Sequence, residues 1–454
     1  MTSTNRRNFI KLASAASTGI VLSGKEGAMA KIQETENSMS KAANMGNPFD
    51  VVHDRRGTNS IKWDFSYQDG IPHEVDHKAE VVHEADDRLE TKPLPMSLSD
   101  MEFQTSPKII EALEKRVKHG IFGYTKPTKS YYQSISNWMS NHYGWHIEED
   151  WVIKTAGVMP AVNMAIQAYT EPGDKIIIQT PVFHPFGQSI ENNDRILLRN
   201  SLLLVNEKYM MDFDDLEKKA SDPKTKMIIF CSPHNPVGRV WTRAELTRLG
   251  EICLKHDVLI VSDEIHCDLI YSWAEFTSFA VIDERLNDQL IVCNSPSKSF
   301  NLPGLKTAST IISNPELREK FNKILLDLNE LFSVNTLGTL ALETAYEQGE
   351  PWLEQLKEYL EGNYLYLKDY INSSIPGLRL QEAEGLYLVW VDCSGLGLND
   401  EELRSLFINE ARVYPEQGST YGVEGQGFVR LNIACPRSML KEALMRIKKA
   451  VDSI

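Results

Sequence analysis

The chain is short of positive charge: 48 lysines and arginines stand against 63 aspartates and glutamates, a net charge of −15. It has no basic run able to neutralise a row of phosphates, which excludes a nucleic-acid binder. Cysteine is scarce too. The six, at 231, 253, 267, 293, 393 and 435, never form a Cys-x-x-Cys pair, and most fall inside apolar strand-like or helix-like runs. They read as buried small hydrophobes rather than as a disulfide framework or a zinc site. Long apolar runs are missing as well: the segment from Leu12 to Leu22 is too short for a permanent membrane span. What the chain does have is length and apolar content. With 454 residues and 42% hydrophobic residues it exceeds one compact core, which predicts a globular, enzymatic chain of two domains.

The first thirty residues read separately. NRRNFIK at 5–11 is a twin-arginine pattern, the mildly apolar Ala/Ser-rich segment follows, and Ala28-Met29-Ala30 offers small residues for cleavage. A twin-arginine (Tat) export signal is therefore expected over 1–30, with an extracytoplasmic or periplasmic destination. The alternative is an ordinary disordered N-terminus on a cytoplasmic protein. Residues 31–47 are polar and read as a linker. The stretch 69–92 is acidic and carries His73, His77 and His83. It reads as a solvated insertion rather than a metal site, because no cysteine or tight His-x-x-x-His pair accompanies the histidines.

Beyond it, helix-like and strand-like runs alternate, the pattern of an α/β domain with a mostly parallel sheet. A helix is predicted over 106–119, with Pro107 near its start, and another over 131–143; between them HGIFGYTKPT places Tyr124 in a loop. KTAGVMPAVNMAIQAY at 154–169 is a strand end, a glycine turn and a helix, so Gly157 and Val158 could form an anion seat. Any strand-to-helix turn resembles this. KIIIQT at 175–180 ends just before Phe183, MIIFCS at 227–232 just before Asn235, and VLIVSD at 258–263 on Asp263. Leu290–Cys293 then leads into NSPSKSFNLPGLK, 294–306, whose Ser, Pro and Gly residues stop the strand and present Lys298. A lysine stem enclosed by Pro296, Phe300 and Leu302 loses hydration, which frees a nucleophilic amine near neutral pH. Taken alone, the stretch fits a surface lysine beside a turn equally well. In an open α/β sheet, however, ligands sit outside the carboxyl ends of the strands, where these four side chains would converge.

SPHNPVG, SDEIHCDLIY, NSPSKSFNLPGL and GFVRLNIACPR, taken in order, resemble the fold-type I pyridoxal-phosphate enzymes. The likeness is to the MalY/PatB cystathionine β-lyase-like branch of the class I/II aminotransferase superfamily, and it runs from about residue 48 to the C-terminus. It implies the type I PLP-dependent transferase fold, a large domain with a mostly parallel seven-stranded sheet flanked by helices plus a small α+β domain. The expected bounds are 48–105 and 336–454 for the small domain and 106–335 for the large one. It implies pyridoxal 5'-phosphate as cofactor, joined to Lys298 as a Schiff base, with Asp263 at the ring nitrogen, Asn235 at the phenolic oxygen and Phe183 stacked on the ring. Gly157, Val158 and Ser295 would hold the phosphate, with Tyr124 contributed by the second subunit of a homodimer. Arg430 would grip the substrate α-carboxylate.

Three positions depart from that pattern. Phe183 stands where the branch commonly has tyrosine. His266 stands where many aminotransferases have a tyrosine donor, and Lys306 where they often have a phosphate-binding arginine; a solvated lysine is the ordinary alternative there.

The chemistry this implies is removal of the α-proton of an amino acid by Lys298 and expulsion of a thiolate from the β-carbon, releasing a thiol, pyruvate and ammonia. Two other outcomes remain open from the sequence. An aminotransferase shares the early steps, and a non-catalytic docking protein could keep the fold.

Overall fold

The computed structural model describes residues 46–68, 71–74, 93–328 and 335–454. The candidate export signal, nearly all of the linker, and His77 and His83 of the acidic stretch lie outside these residues. Residues 46–50 form a unit of their own, with one turn over Pro48–Asp50 in which the Phe49 N–H donates to Asn47 Oδ1 at 3.0 Å. Val51–Ile454 forms the second unit. The start of the acidic stretch forms a hairpin, with Phe65–Gln68 antiparallel to Ile71–Glu74.

The organising element is a seven-stranded sheet. Its spatial order is Val152–Thr155, Ala308–Ile311, Leu290–Asn294, Leu259–Asp263, Thr225–Cys231, Lys175–Ile178 and Ile196–Arg199. Ala308–Ile311 runs antiparallel to both neighbours and all other pairs are parallel. The central strands read as unbroken apolar runs because both faces are covered: Leu259–Asp263 and Leu290–Asn294 are buried along their whole length. One face packs on helix Val158–Tyr169, whose Ala161, Val162, Ala165 and Ile166 are fully enclosed.

The flanking helices end where the sequence punctuates them. Pro107–His119 has its proline in the first turn and closes on Gly120 at φ 75°, and Lys129–Tyr143 closes on Gly144 at φ 65°. Arg243–His256 starts on a complete capping box, Thr242 with Glu245. The amphipathic pattern over 315–348 resolves into two helices, Pro315–Asp327 and Thr336–Gln348. The second packs against Pro107–His119 and Lys129–Tyr143.

A second, five-stranded sheet has the order Arg379–Leu380, Leu388–Asp392, Phe428–Asn432, Val413–Gln417, Leu94–Met96. Its last pair is parallel and the rest are antiparallel. It joins a strand from the N-terminal part of the chain to the C-terminal strands, backed by Glu350–Ser374 and Arg437–Val451. Within the described residues no helix is long and apolar enough to cross a membrane, and no group of three or more His, Cys, Asp or Glu could hold a metal.

Candidate active site

Five turns leave the carboxyl rim of the large sheet and carry the residues singled out from the sequence. After Val152–Thr155 the chain passes Gly157, at φ 154°, and enters helix Val158–Tyr169. That backbone angle strains any residue with a Cβ, so glycine is required for the turn that exposes the first helical N–H groups. After Lys175–Ile178 comes Phe183, half-buried, whose N–H donates to the Asn235 carbonyl at 3.1 Å. Asn235 follows Thr225–Cys231 and is 5% exposed. Asp263 ends its own strand, and Lys298 sits in a single helical turn, Pro296–Ser299, just past Leu290–Asn294.

The geometry brings these side chains to one place. Arg430, on the central strand of the small sheet and 3% exposed, donates from Nη1 to Asn235 Oδ1 at 3.2 Å and from Nη2 to the Ser97 carbonyl at 2.7 Å. Its guanidinium lies 5.3 Å from the centre of the Tyr421 ring, with Glu416 3.8 Å away. Arg430 Nε is buried with no hydrogen-bond partner among the described residues. Lys298 Nζ donates to Ser99 Oγ at 2.5 Å. Burial lowers the lysine pKa to about 8, and Arg430 and Lys306 push it the same way against the carboxylates of Asp100 and Asp263. Burial likewise raises Asp263 to about 7, opposed by the Ile265 N–H and by Lys298. The Asp263 carboxylate accepts one hydrogen bond, from Ile265 at 3.0 Å. His266 is held neutral, first by burial and then by the positive charges of Lys298 and Arg430; its Nδ1 is buried without a partner among the described residues.

Ser295 is engaged within the protein, and Lys306 and Tyr124 face solvent. The Ser295 hydroxyl caps the lysine turn: it accepts from the Ser297 N–H at 3.1 Å and donates to the Thr307 carbonyl at 2.7 Å. To donate to a phosphate it would have to turn away from Thr307. Lys306 is exposed, at φ 47°, and is felt at Lys298 as a positive charge. Tyr124 is fully exposed, at 105% of its reference area, in the loop between two helices.

The sequence reading missed the segment Ser97–Phe103. It has no periodicity and no motif, yet it forms one wall of the site. Asn432 Nδ2 donates to the carbonyls of Leu98 and Asp100 at 2.5 and 2.8 Å. From the other side Asn301, at φ 55°, accepts from the Met101 N–H at 2.9 Å and donates to the Met101 and Phe103 carbonyls. The Tyr387 hydroxyl donates to the Ser99 carbonyl at 2.6 Å. The asparagines were the available signal: a side chain with both donor and acceptor, three residues past Lys298 and two past Arg430, suits the pinning of an irregular strand.

A half-buried amine, a buried carboxylate with a single hydrogen bond, a guanidinium with an N–H unpartnered among the described residues and a glycine-led helix N-terminus define a fold-type I pyridoxal-phosphate site on an α/β sheet. The comparisons with known proteins agree. The family profile described as "Aminotransferase class I and II" matches residues 91–447, and the chain belongs to that family. It is 39% identical over 405 residues to cystathionine beta-lyase PatB of Bacillus subtilis, covering 89% of this chain and 100% of that one. It is 34% identical over 408 residues to protein MalY of Escherichia coli, covering 89% and 99%. The crystal structure of cystalysin from Treponema denticola, which contains pyridoxal 5'-phosphate, superposes with a TM-score of 0.82 at 36% identity, covering 90% of this chain and 100% of that one.

The residues present fit that cofactor. The orphaned Arg430 Nε and His266 Nδ1, and the carboxylate of Asp263 with a single hydrogen bond, are buried polar groups that a polar ligand would satisfy.

Proposed function

We propose that the chain is a pyridoxal-phosphate-dependent carbon–sulfur β-lyase, acting on cystathionine or a related cysteine S-conjugate to give a thiol, pyruvate and ammonia. The observation that carries the reading is Lys298, an amine with its pKa lowered to about 8, standing among Asp263, Asn235 and Arg430. Lys298, Asp263, Asn235 and Phe183 would hold the cofactor, with the helix N-terminus at Gly157 and Val158 facing its phosphate. When bound, the cofactor accepts the electron pair left at the substrate α-carbon. Lys298 takes the α-proton, which an amine titrating near neutrality can do and an ordinary lysine cannot. Arg430 orients the substrate by a forked pair to its α-carboxylate, using the N–H that has no partner among the described residues. Glu416 lies opposite Arg430 in the sheet register and keeps a negative charge near the guanidinium until substrate arrives.

Aminotransfer is the second reading, supported by the family to which the chain belongs. The two separate in one assay. Purified protein loaded with pyridoxal phosphate and given cystathionine or an S-alkylcysteine, with no keto acid, is expected to release pyruvate and thiol in equal amounts, and with cystine pyruvate and the persulfide thiocysteine. Amino-group transfer to an added keto acid without pyruvate release would replace the lyase reading with the aminotransferase one.

A further inference from the structure

One residue at the centre of the site takes no part in the steps assigned to Lys298 and Arg430. Ser99 Oγ lies 2.5 Å from Lys298 Nζ and accepts its hydrogen bond. It is held there from three sides. The Tyr387 hydroxyl donates to the Ser99 carbonyl, Asn432 spans the carbonyls of Leu98 and Asp100, and the Asp100 carboxylate is paired with Arg55 at 2.5 Å. The serine hydroxyl is both donor and acceptor, and within the described residues its own O–H donates to no protein group. Ser99 is only half-buried, so that proton is open to whatever occupies the site.

We propose that Ser99 is a further catalytic residue, a proton relay from Lys298 to the departing sulfur. The inference rests on the lyase reading. Once Lys298 holds the α-proton it is an ammonium group, and a thiolate leaves beside it needing a proton. In the relay an N–H bond of Lys298 breaks as its proton passes to Ser99 Oγ, and the Ser99 O–H bond breaks as its proton passes to sulfur. The electron pair of the broken C–S bond stays on sulfur and makes the new S–H bond. Lys298 returns to the neutral amine and Ser99 to the hydroxyl. No outside acid or oxidant is needed. A serine cannot ionise near neutral pH, so it moves the proton only in concert, and the short contact to Nζ is what that requires.

The test compares leaving groups. Chloride needs no proton, whereas an alkylthiolate does. In Ser99→Ala the ratio of pyruvate release from an S-alkylcysteine to that from β-chloroalanine should fall by about 100-fold, the scale of losing a positioned acid. Ser99→Thr, which keeps a hydroxyl on the same carbon, should restore the ratio. A second readout needs no turnover. In the full-length chain stripped of cofactor, reductive methylation of Lys298 is followed against pH by mass spectrometry.

Ser99 accepts from the ammonium form, alongside Asp100 and Asp263 and against Arg430 and Lys306, so its loss should move the labelling midpoint to lower pH. A ratio that does not move in Ser99→Ala overturns the relay. A labelling midpoint that does not move overturns the hydrogen bond on which it stands. Should unmutated protein release no pyruvate from either substrate, the lyase reading falls and takes the relay with it, whereas a changed ratio on an active lyase supports both.

Discussion

Asp263 and Lys298 show how burial prepares opposite charges for one task. Each is driven toward its neutral form by the same loss of water, the carboxyl up to about 7 and the amine down to about 8. The sign of the pH dependence follows. Below about 8 the lysine is mostly ammonium and cannot attack an aldehyde, and above it the amine predominates. Capture of pyridoxal phosphate by cofactor-free protein should therefore accelerate as pH rises through about 8 and then level off, a course that stopped-flow absorbance would follow. A rate already at its maximum at pH 6 would contradict the lowered pKa. Asp263→Asn keeps the side-chain shape and removes the charge that pairs with a protonated ring nitrogen. Turnover should fall by about 10²–10³-fold, the scale of losing one preorganised electrostatic partner, with cofactor still bound as judged by its visible absorbance. Unchanged turnover would place the ring nitrogen elsewhere.

Among the elements, the segment Ser97–Phe103 depends on the chain's own N-terminal stretch. Glu102, 3% exposed, binds Lys62 at 2.6 Å, Arg55 at 3.2 Å and the Trp63 indole N–H at 2.9 Å. Removing the carboxylate takes away the ion-pair partner of the buried Lys62 ammonium, leaving its hydrogen bond to the Asp100 carbonyl at 3.1 Å. Glu102→Ala should cost about 3–5 kcal/mol of stability, measured by denaturant unfolding of the full-length protein. A loss below about 1 kcal/mol would mean the network behaves like a surface pair. None of this was legible beforehand, because Arg55, Lys62 and Glu102 carry no local pattern and meet only through the fold. The helices and the large sheet were legible for the converse reason. Arg243–His256 has its cap, its apolar face and its αL stop at Asp257 written in adjacent residues, and the buried strands are unbroken apolar runs between turn formers. The site was legible wherever a strand end fixed a side chain, as at Asp263 and Lys298. It was illegible where an irregular segment was pinned by distant asparagines.

At the scale of the whole molecule, Tyr124 and its apolar neighbours Ile121 and Phe122 stand exposed at 105%, 67% and 57%. We propose that they meet a second copy of the chain and that Tyr124 serves the partner's site. Mixing Lys298→Ala and Tyr124→Phe chains would then rebuild one intact site per heterodimer, and activity per heterodimer should approach half that of the unmutated dimer. If Tyr124 served its own chain, the mixture would show no gain over the Tyr124→Phe homodimer. Export is likewise a proposal: changing Arg6 and Arg7 to lysine should leave the protein in the cytoplasm, which cell fractionation would reveal.

The double clasp on Ser97–Phe103 limits how such an enzyme can open. Asn301 stitches that segment to the lysine's own loop and Asn432 stitches it to the small sheet, so neither half can retreat without tearing a seam. Arg430 is also bordered by a second tightly folded segment. There Tyr421 rests over Arg430 on a ribbon so closely folded that a methyl group on Gly425 would lie 1.9 Å from the Gly418 carbonyl. A displacement that spared the Asn301 and Asn432 bonds would carry the wall bearing Ser99, the lysine's loop and the small sheet as one body.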